Sequence, residues 1–437
     1  MADKKTDDEP HYHIVGGGPV GYATALLLAK DGIRSTVYES RAQVVNVPEE
    51  SYPIGVNARG LHTLGLIDPS LAAACRDTGK IINAWEIYGS GGRKVADLPS
   101  GVVFGTSRAR VNLILAEAAV RPEFASLVTV VNNYRLRSVR LATRELVFEE
   151  RLSGGGRREV VVATGQNGRV VAADGCNSAV RGAVEQQDDG FACTVTPWKN
   201  EFRVIFAPPG ASAPLLDETV HYIFAGFYAA TVDKGGEQTW TCVMGARDGA
   251  PQAERALLLS DDASDANVAA LRELLQARAP QMASLFGDDE LRRFFGRRTF
   301  RGALVWCSRA HVGEWLVLLG DAAHSVLPPT GSSRPRAPSH PAQSLRVALH
   351  SHILIYSTRR RCCRPPARAS TAASRTRPSS PAACAARPPR PSPRTRPRAP
   401  PTSPASSRTP PTSTRASISR CRARRARGSP SRSSSWS

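Results

Sequence analysis

The sequence predicts an α/β fold into which a second, mostly antiparallel sheet is inserted, followed by a long disordered tail. Three observations support this expectation. Near residue 12 a strand–helix–strand pattern surrounds a glycine-rich turn. Between about 190 and 247, short aromatic and apolar runs are typical of a second sheet. From residue 333 onward Arg, Pro, Ser and Ala dominate and acidic residues are absent, a composition that cannot build a core.

The strand–helix–strand unit carries the first motif. Residues 12–15 and 33–38 predict strands, and residues 20–30 predict a helix between them. The turn reads Gly-x-Gly-x-x-Gly, whose glycines allow a tight turn and let a pyrophosphate approach the helix N-terminus. The unit is therefore Rossmann-like, and its candidate pyrophosphate-binding residues are Gly16, Gly18, Pro19, Val20 and Gly21. Glu39, at the end of the second strand, is placed to accept hydrogen bonds from ribose hydroxyls.

Two later turns also follow predicted strands. Asp174-Gly175 comes after the apolar residues 170–173, and Gly320-Asp321 comes after the buried-strand pattern 315–319. The Asp321 carboxylate is placed to bind a ribityl hydroxyl. Strand-and-glycine units about three hundred residues apart suggest one extended cofactor held at both ends, and a flavin dinucleotide fits that requirement.

The segments between these motifs have clear periodicities. We expect mostly helix over 60–83, an amphipathic helix over 108–119, antiparallel strands over 128–173 and helix over about 265–286. Tyr222, Tyr228 and Trp240 lie on predicted strands of the second sheet. They are candidates to line a substrate pocket, but aromatic residues on strands are more often core, and we interpret them as core residues.

Over residues 11–331 these motifs together resemble the FAD-dependent aromatic hydroxylases of the para-hydroxybenzoate hydroxylase type. Residues 50–60 are most similar to the kynurenine 3-monooxygenase branch. The resemblance implies a FAD-binding domain at 11–185 and 290–332, a substrate domain at 186–289, and a tail at 333–437. Besides Glu39 and the residues of the glycine-rich turn, the resemblance gives these cofactor-binding candidates: Ser40, Arg41, Arg59, Arg108, Asp174, Gly320, Asp321, Pro328 and Gly331.

The resemblance implies a monooxygenase with FAD as cofactor, NAD(P)H as co-substrate and O2. The flavin C4a-hydroperoxide would then deliver hydroxyl to a small aromatic substrate. No acid, base or nucleophile is nominated, and His324 is interpreted as a packing or hydrogen-bonding residue. Kynurenine hydroxylases carry an Arg and a Tyr for the amino-acid end of the substrate. Here those places read Ala84-Trp85 and Val103-Phe104, which argues against kynurenine itself.

The family pattern breaks after Gly331. The family continues with Gly, Asn and a helix that faces the flavin, whereas this chain continues with Ser332-Ser333-Arg334. The Arg/Pro/Ala/Ser bias that follows is typical of GC-rich DNA translated out of frame. We therefore interpret 333–437 as a frameshift or gene-model artefact. We expect the flavin site to be incomplete, which can abolish activity.

Charge and cysteine content restrict the function classes. The formal charge is +20, but residues 333–437 hold 23 of the 58 Lys and Arg and none of the 38 Asp and Glu. The remainder therefore has 35 basic against 38 acidic residues, or about −3. The nine cysteines lack metal-ligand spacing and fit a reducing compartment. With no leader-like start and no apolar run of membrane-spanning length, we expect a cytoplasmic protein without a transmembrane segment.

Two alternatives remain open at this point. An NAD-binding dehydrogenase would use the Gly16 motif but has no use for Asp174-Gly175 or Gly320-Asp321. A polyanion-binding protein would act through the Arg-rich tail, which attracts phosphate backbones at low salt. The tail lacks the aromatic residues that stack on bases, so specific nucleic-acid binding is not expected.

Overall fold

The computed structural model describes residues 10–234 and 236–325. Pro328, Gly331 and the predicted tail at 333–437 lie outside the described residues. The strands are β1 (Tyr12–Val15), β2 (Ser35–Tyr38), β3 (Pro53–Asn57), β4 (Lys80–Tyr88), β5 (Lys94–Ser107), β6 (Val128–Val131), β7 (Tyr134–Arg140), β8 (Glu145–Arg151), β9 (Arg157–Ala163), β10 (Arg169–Ala172), β11 (Cys193–Pro197), β12 (Glu201–Phe206), β13 (Val220–Phe224), β14 (Phe227–Lys234), β15 (Glu237–Ala246), β16 (Ala303–Cys307), β17 (His311–Val312) and β18 (Leu316–Leu318). The helices are α1 (Pro19–Lys30), α2 (Ala58–Ile67), α3 (Pro69–Asp77), α4 (Arg108–Ala119), α5 (Pro122–Ala125), α6 (Ala179–Gln187), α7 (Gln252–Leu259), α8 (Asp265–Arg278), α9 (Pro280–Ala283) and α10 (Asp288–Gly296).

A six-stranded sheet with the order β17-β18-β10-β1-β2-β6 forms the first layer. All neighbours in it are parallel except β17, which runs antiparallel at the edge. The predicted β1-α1-β2 unit is confirmed. The expectation of antiparallel strands throughout 128–173 was wrong at its two ends, because β6 and β10 pair in parallel with β2 and β1. Their apolar residues are buried in a central sheet, which suits parallel strands.

The parallel sheet is covered on both faces. On one face its side chains pack with α1, α2, α3 and α4 in one core. On the other face they pack with α6 and with the antiparallel sheet β7-β8-β9. Helix α1 begins with Pro19, whose missing N–H is not needed in the first turn. Asn57 and Asp68 cap the starts of α2 and α3.

The predicted helical span 60–83 is confirmed for α2 and α3 but was wrong from Lys80 onward, where β4 begins. Gly79 stands at this boundary. A Cβ there would lie 2.8 Å from the carbonyl oxygen of Gly105 on β5 and 2.9 Å from that of Cys75. Only a glycine lets the chain leave α3 and pass this close to the neighbouring strand.

A seven-stranded sheet with the order β12-β15-β14-β13-β4-β5-β3 forms the second layer. It is mostly antiparallel, as expected, except that β13 pairs in parallel with β4. One face packs on α7 to α10, and the other carries a smaller core that includes Tyr228 and Phe300. The bounds proposed for the two domains remain a prediction, and this sheet crosses them, because β3, β4 and β5 come from the segment assigned to FAD binding. Among the described residues, no helix is long and apolar enough to cross a membrane.

His13, on the central strand β1, makes stability depend on pH. It is 8% exposed, and its Nδ1 lies 3.1 Å from the Tyr38 hydroxyl. Burial, with a smaller contribution from His11, lowers the pKa of His13 to about 4. The unfolded chain therefore binds a proton more readily below about pH 6.5. His13 contributes its full stabilisation above that pH and loses it as the pH falls toward 4.

The expected loss is about 3 kcal/mol of unfolding free energy between neutral pH and the folded pKa. Urea unfolding across this range checks it. His13→Gln should flatten that part of the pH profile, whereas His62→Gln, at an exposed position, should leave the profile unchanged. Parallel profiles for the wild type and His13→Gln would contradict the assignment.

Candidate functional site

The three sequence motifs and Glu39 meet at one edge of the parallel sheet. Leu318, Ala172, Val15 and Tyr38 are register neighbours across β18, β10, β1 and β2. The residues after them are therefore the Gly320-Asp321 turn, the Asp174-Gly175 turn, the glycine-rich turn and Glu39. The carboxyl edge of such a sheet is where ligands bind in open α/β folds.

The glycine-rich turn uses two of its glycines for close packing. Gly16 has φ +103°, and a Cβ on it would lie 2.5 Å from the carbonyl oxygen of Ala173. A Cβ on Gly21 would collide with the carbonyl oxygen of Gly16. These two positions let β1, α1 and the end of β10 approach one another.

Gly18 differs from these two glycines, because a Cβ on it would meet nothing within 4 Å. Its φ of −84° would suit any residue, so neither backbone strain nor protein packing requires glycine. Gly18 is the N-cap of α1, and no side chain in the part of the chain that the structure describes caps this end of the helix. The free N–H groups and the positive end of the helix dipole therefore face open space, as a phosphate site requires.

Glu39 is hydrogen-bonded to the glycine-rich turn and to Arg41. Its Oε2 accepts a hydrogen bond from the N–H of Gly17 at 2.8 Å. Its Oε1 accepts from Ser40 Oγ at 3.2 Å and from the N–H and Nε of Arg41 at 2.9 and 2.8 Å. Burial alone would raise the pKa of Glu39, but the contacts with Arg41 hold it below its ordinary value. Oε2 keeps acceptor capacity for a further hydroxyl.

Helix α4 lies against the same turn. Ser107 caps the helix by accepting from the N–H of Arg110 at 3.1 Å. Asn112 Nδ2 donates to the carbonyl oxygen of Gly17 at 3.2 Å. Arg108 opens the helix with an exposed side chain, and its N–H donates to the carbonyl oxygen of Tyr52 at 3.2 Å. The predicted Arg108 site thus lies within the same cluster.

The Asp174 motif is joined to the Gly320 motif by Arg181. Asp174 Oδ2 accepts from the N–H groups of Ala179 and Val180 at 2.7 and 3.2 Å, so it supports the start of α6. Within the described residues its buried Oδ1 has no hydrogen-bond partner, and burial raises the pKa of this carboxyl. The buried Arg181 donates to the carbonyl oxygens of Cys176 and Ala322, at 2.7 and 3.0 Å.

The Gly320-Asp321 turn packs directly on α1. Gly320 has φ +57°, and a Cβ on it would lie 2.8 Å from Cγ2 of Val20. Asp321 is exposed and lies within electrostatic reach of Arg108 and His324. The N–H of His324 donates to the carbonyl oxygen of Gly320 at 2.9 Å, which closes the turn.

Arg59 is less closely connected to this cluster. It lies exposed in the first turn of α2, where its N–H donates to Asn57 Oδ1 at 3.1 Å. Its role at the flavin or substrate stays a prediction. The assignments to Pro328 and Gly331 fall outside the described residues.

Tyr52 was missed by the sequence reasoning. Its ring packs against the core of the parallel sheet and against that of the seven-stranded sheet. It makes edge contacts with Phe202 and Phe300, with ring centroids 5.6 and 5.3 Å apart. Arg108 and Asp321 both act on its hydroxyl electrostatically, and burial raises its pKa. A lone Tyr before a Pro carries no sequence signal for such a position.

The face of the seven-stranded sheet beyond Tyr52 is aromatic. Trp85 stacks on Tyr228 at 5.9 Å, and the Tyr228 hydroxyl lies 3.0 Å from Nδ1 of His221. Tyr222 and Trp240 belong to the core on the opposite face. Their interpretation as core is confirmed, and Tyr228 is buried as well.

The sequence of this chain is similar to those of known proteins. A family model described as FAD binding domain matches residues 11–333. The chain is 26% identical to kynurenine 3-monooxygenase of Myxococcus xanthus (strain DK1622) over 329 residues, which is 72% of this chain and 65% of that protein. It is 22% identical to kynurenine 3-monooxygenase of Anopheles gambiae, over 72% of this chain and 62% of that protein. The chain thus spans less than two thirds of the length of these relatives.

Solved structures share the fold. A structure of 2-methyl-3-hydroxypyridine-5-carboxylic acid oxygenase has a TM-score of 0.52 at 16% identity, covering 72% of this chain and 76% of that one. A probable FAD-dependent monooxygenase from Pseudomonas aeruginosa has a TM-score of 0.52 at 20% identity, covering 73% and 80%. The predicted α/β architecture is confirmed by this likeness. Because the family model covers most of the chain, the protein belongs to the FAD binding domain family.

Proposed function

We propose that this protein is a FAD-dependent monooxygenase that hydroxylates a small aromatic substrate with NAD(P)H and O2. The observation that carries the proposal is the meeting of three turns and Glu39 at the carboxyl edge of β18, β10, β1 and β2. A dehydrogenase that binds only NAD would need the glycine-rich turn, but not the two aspartate turns beside it. The names of the two relatives support the same reaction class.

The residues present fit FAD. The uncapped start of α1 and the open space at Gly18 suit the pyrophosphate. Glu39 would hold a ribose hydroxyl and Asp321 a ribityl hydroxyl, while Arg108 and Asn112 stand beside them. Bound FAD would supply the redox and oxygen chemistry. The work left to this chain is to bind the cofactor, orient it and shield the reacting ring from water.

The aromatic face of the seven-stranded sheet supports an aromatic substrate. Tyr52, Phe202 and Phe300 connect the cofactor cluster to that face, and Trp85 and Tyr228 continue it. Aromatic side chains of this kind suit contact with a planar apolar ring. Because Trp85 and Phe104 stand near the places where kynurenine hydroxylases carry Arg and Tyr, we propose an aromatic substrate without the amino-acid end of kynurenine.

An absorbance spectrum of the full chain tests the proposal. The described residues would hold the pyrophosphate and ribose of FAD, so we expect FAD binding, seen as a flavin band at about 450 nm, even though the sequence departs from the family pattern after Gly331. Phenolic acids and kynurenine can then be compared for stimulated NAD(P)H oxidation, with hydroxylated product measured alongside. We expect simple aromatic acids to outperform kynurenine. A folded protein that takes up no FAD on reconstitution would contradict the proposal.

A further inference from the structure

Two half-buried cysteines face each other across the β11–β16 ribbon. Cys193 and Cys307 are register partners in this antiparallel pair. Both pack against the same core of the parallel sheet, so their side chains lie on the same side of the ribbon. Both are free thiols here.

The backbone ladder shows which kind of register position the pair occupies. Ser308 N–H donates to the carbonyl oxygen of Ala192, and Trp198 N–H to that of Gly302, both at 2.8 Å. Hydrogen-bonded and non-hydrogen-bonded pairs alternate along an antiparallel ladder. Since 192/308 and 198/302 are hydrogen-bonded pairs, 193/307 is a non-hydrogen-bonded pair. Such partners have Cα atoms about 4.5 Å apart, within the range of about 4.4–6.8 Å that a disulfide spans.

We propose that Cys193 and Cys307 form an oxidative modification site that hydrogen peroxide closes to a cross-strand disulfide. One thiolate attacks a peroxide oxygen, the O–O bond breaks, and the departing hydroxide becomes water. The second thiol attacks the resulting sulfenic sulfur, the S–O bond breaks, and a second water leaves. Two thiols and one peroxide thus give one disulfide and two waters.

Burial and the neighbouring charges set the rate of this step. Burial, together with a hydrogen bond and the charge of Glu185 on α6, raises the pKa of Cys193 to about 11, while Arg181 acts in the opposite direction. Burial also raises the pKa of Cys307, and Arg181 again opposes it. Because the thiolate is the nucleophile, closure is slow at neutral pH and faster at alkaline pH. Removing the Glu185 charge should accelerate it.

Cys307 of this pair lies next to the Gly320-Asp321 turn. Cys307 Sγ is 4.0 Å from the carbonyl oxygen of Ala322, the atom that also accepts from Arg181. Ser325 Oγ donates to the carbonyl oxygen of Ala303 on β16. Disulfide formation would draw Cys307 Sγ toward β11 and away from the turn. An effect of this movement on cofactor binding, unlike the disulfide itself, rests on the proposed FAD site.

Peptide mapping of the full chain tests the proposal. Reduced protein is treated with hydrogen peroxide at neutral and mildly alkaline pH, alkylated under unfolding conditions and digested without reduction. We expect a linked peptide pair containing Cys193 and Cys307, with the mass of two hydrogens lost. Cys193→Ser and Cys307→Ser should each abolish it, while the buried Cys75 and Cys242 stay alkylatable. Glu185→Gln should speed its formation several-fold.

The possible results of this experiment separate the disulfide site from the role of Glu185. Persistence of both thiols, or oxidation of each cysteine singly, would overturn the proposal. The linked peptide with an unchanged rate in Glu185→Gln would support the site and overturn the role of Glu185. We expect the same linked peptide from protein with or without FAD. Failure of the proposed FAD site would therefore not affect this test.

Discussion

Gly21→Ala is expected to prevent stable folding of the parallel sheet. The added Cβ would collide with the carbonyl oxygen of Gly16, which belongs to the backbone and cannot rotate away. Relief requires α1 to move off β1 and to separate a core that includes the fully buried Leu26 and Ile14. We expect a loss above about 4 kcal/mol, measured as the urea midpoint or as the absence of soluble protein.

Gly18→Ala is the matched control for this prediction. It lies in the same turn with φ −84°, and its Cβ would meet no protein atom within 4 Å. We expect unfolding stability within about 0.5 kcal/mol of wild type. Because the methyl group would occupy the space proposed for the pyrophosphate, FAD affinity should fall at least about tenfold. Equal urea midpoints for the two variants would contradict the steric argument, and unchanged FAD affinity in Gly18→Ala would contradict the cofactor site.

Arg203→Met is expected to cost about 2–3 kcal/mol of stability. Arg203, on β12, is 3% exposed and donates to Thr299 Oγ1 at 2.8 Å and to the carbonyl oxygen of Phe295 at 3.3 Å. It also donates to the carbonyl oxygen of Ser260 and pairs with Asp261. Methionine matches the apolar stem but leaves the buried carbonyl oxygen of Phe295 and the partly buried acceptors at Ser260 and Thr299 without this donor. The hydrogen bonds that connect β12 to α10 and to the end of α7 are then lost.

Arg272→Met provides the comparison for Arg203. Arg272 also pairs with a carboxylate, that of Asp288, but both side chains are exposed, at 45% and 68%. Surface pairs of this kind contribute about 0–1 kcal/mol. The urea midpoint should therefore shift much less than for Arg203→Met. Similar shifts in the two variants would show that the Arg203 contacts are not the source of stability.

The sequence predicted the local units well. The β1-α1-β2 unit, α4 and the turns at Asp174 and Gly320 depend on patterns within about 20 residues, where periodicity and glycine placement decide the structure. Their meeting at one edge depends on the parallel pairing of β10 with β1 and β18, which the sequence reasoning did not predict because it expected antiparallel strands there.

Partner choice between distant strands could not be predicted in this way. Nothing in the sequence of β4 identifies β13 as its parallel neighbour, and the apolar residues of β6 and β10 suit either kind of sheet. For the same reason Tyr52 was missed, because its importance arises from two cores that meet only in the folded chain.

The parallel pairing of β4 with β13 has a consequence for folding during synthesis. Residues 84–88 can pair with β5 at once, but their partners on the other side, residues 220–224 of β13, are made much later. Until then the hairpin of β4 and β5 has one edge unpaired. Pairings across such sequence distances slow folding and leave strand edges open to other chains. The interval between synthesis of β5 and β13 is therefore when this protein is most exposed to aggregation, and when a chaperone would protect it best.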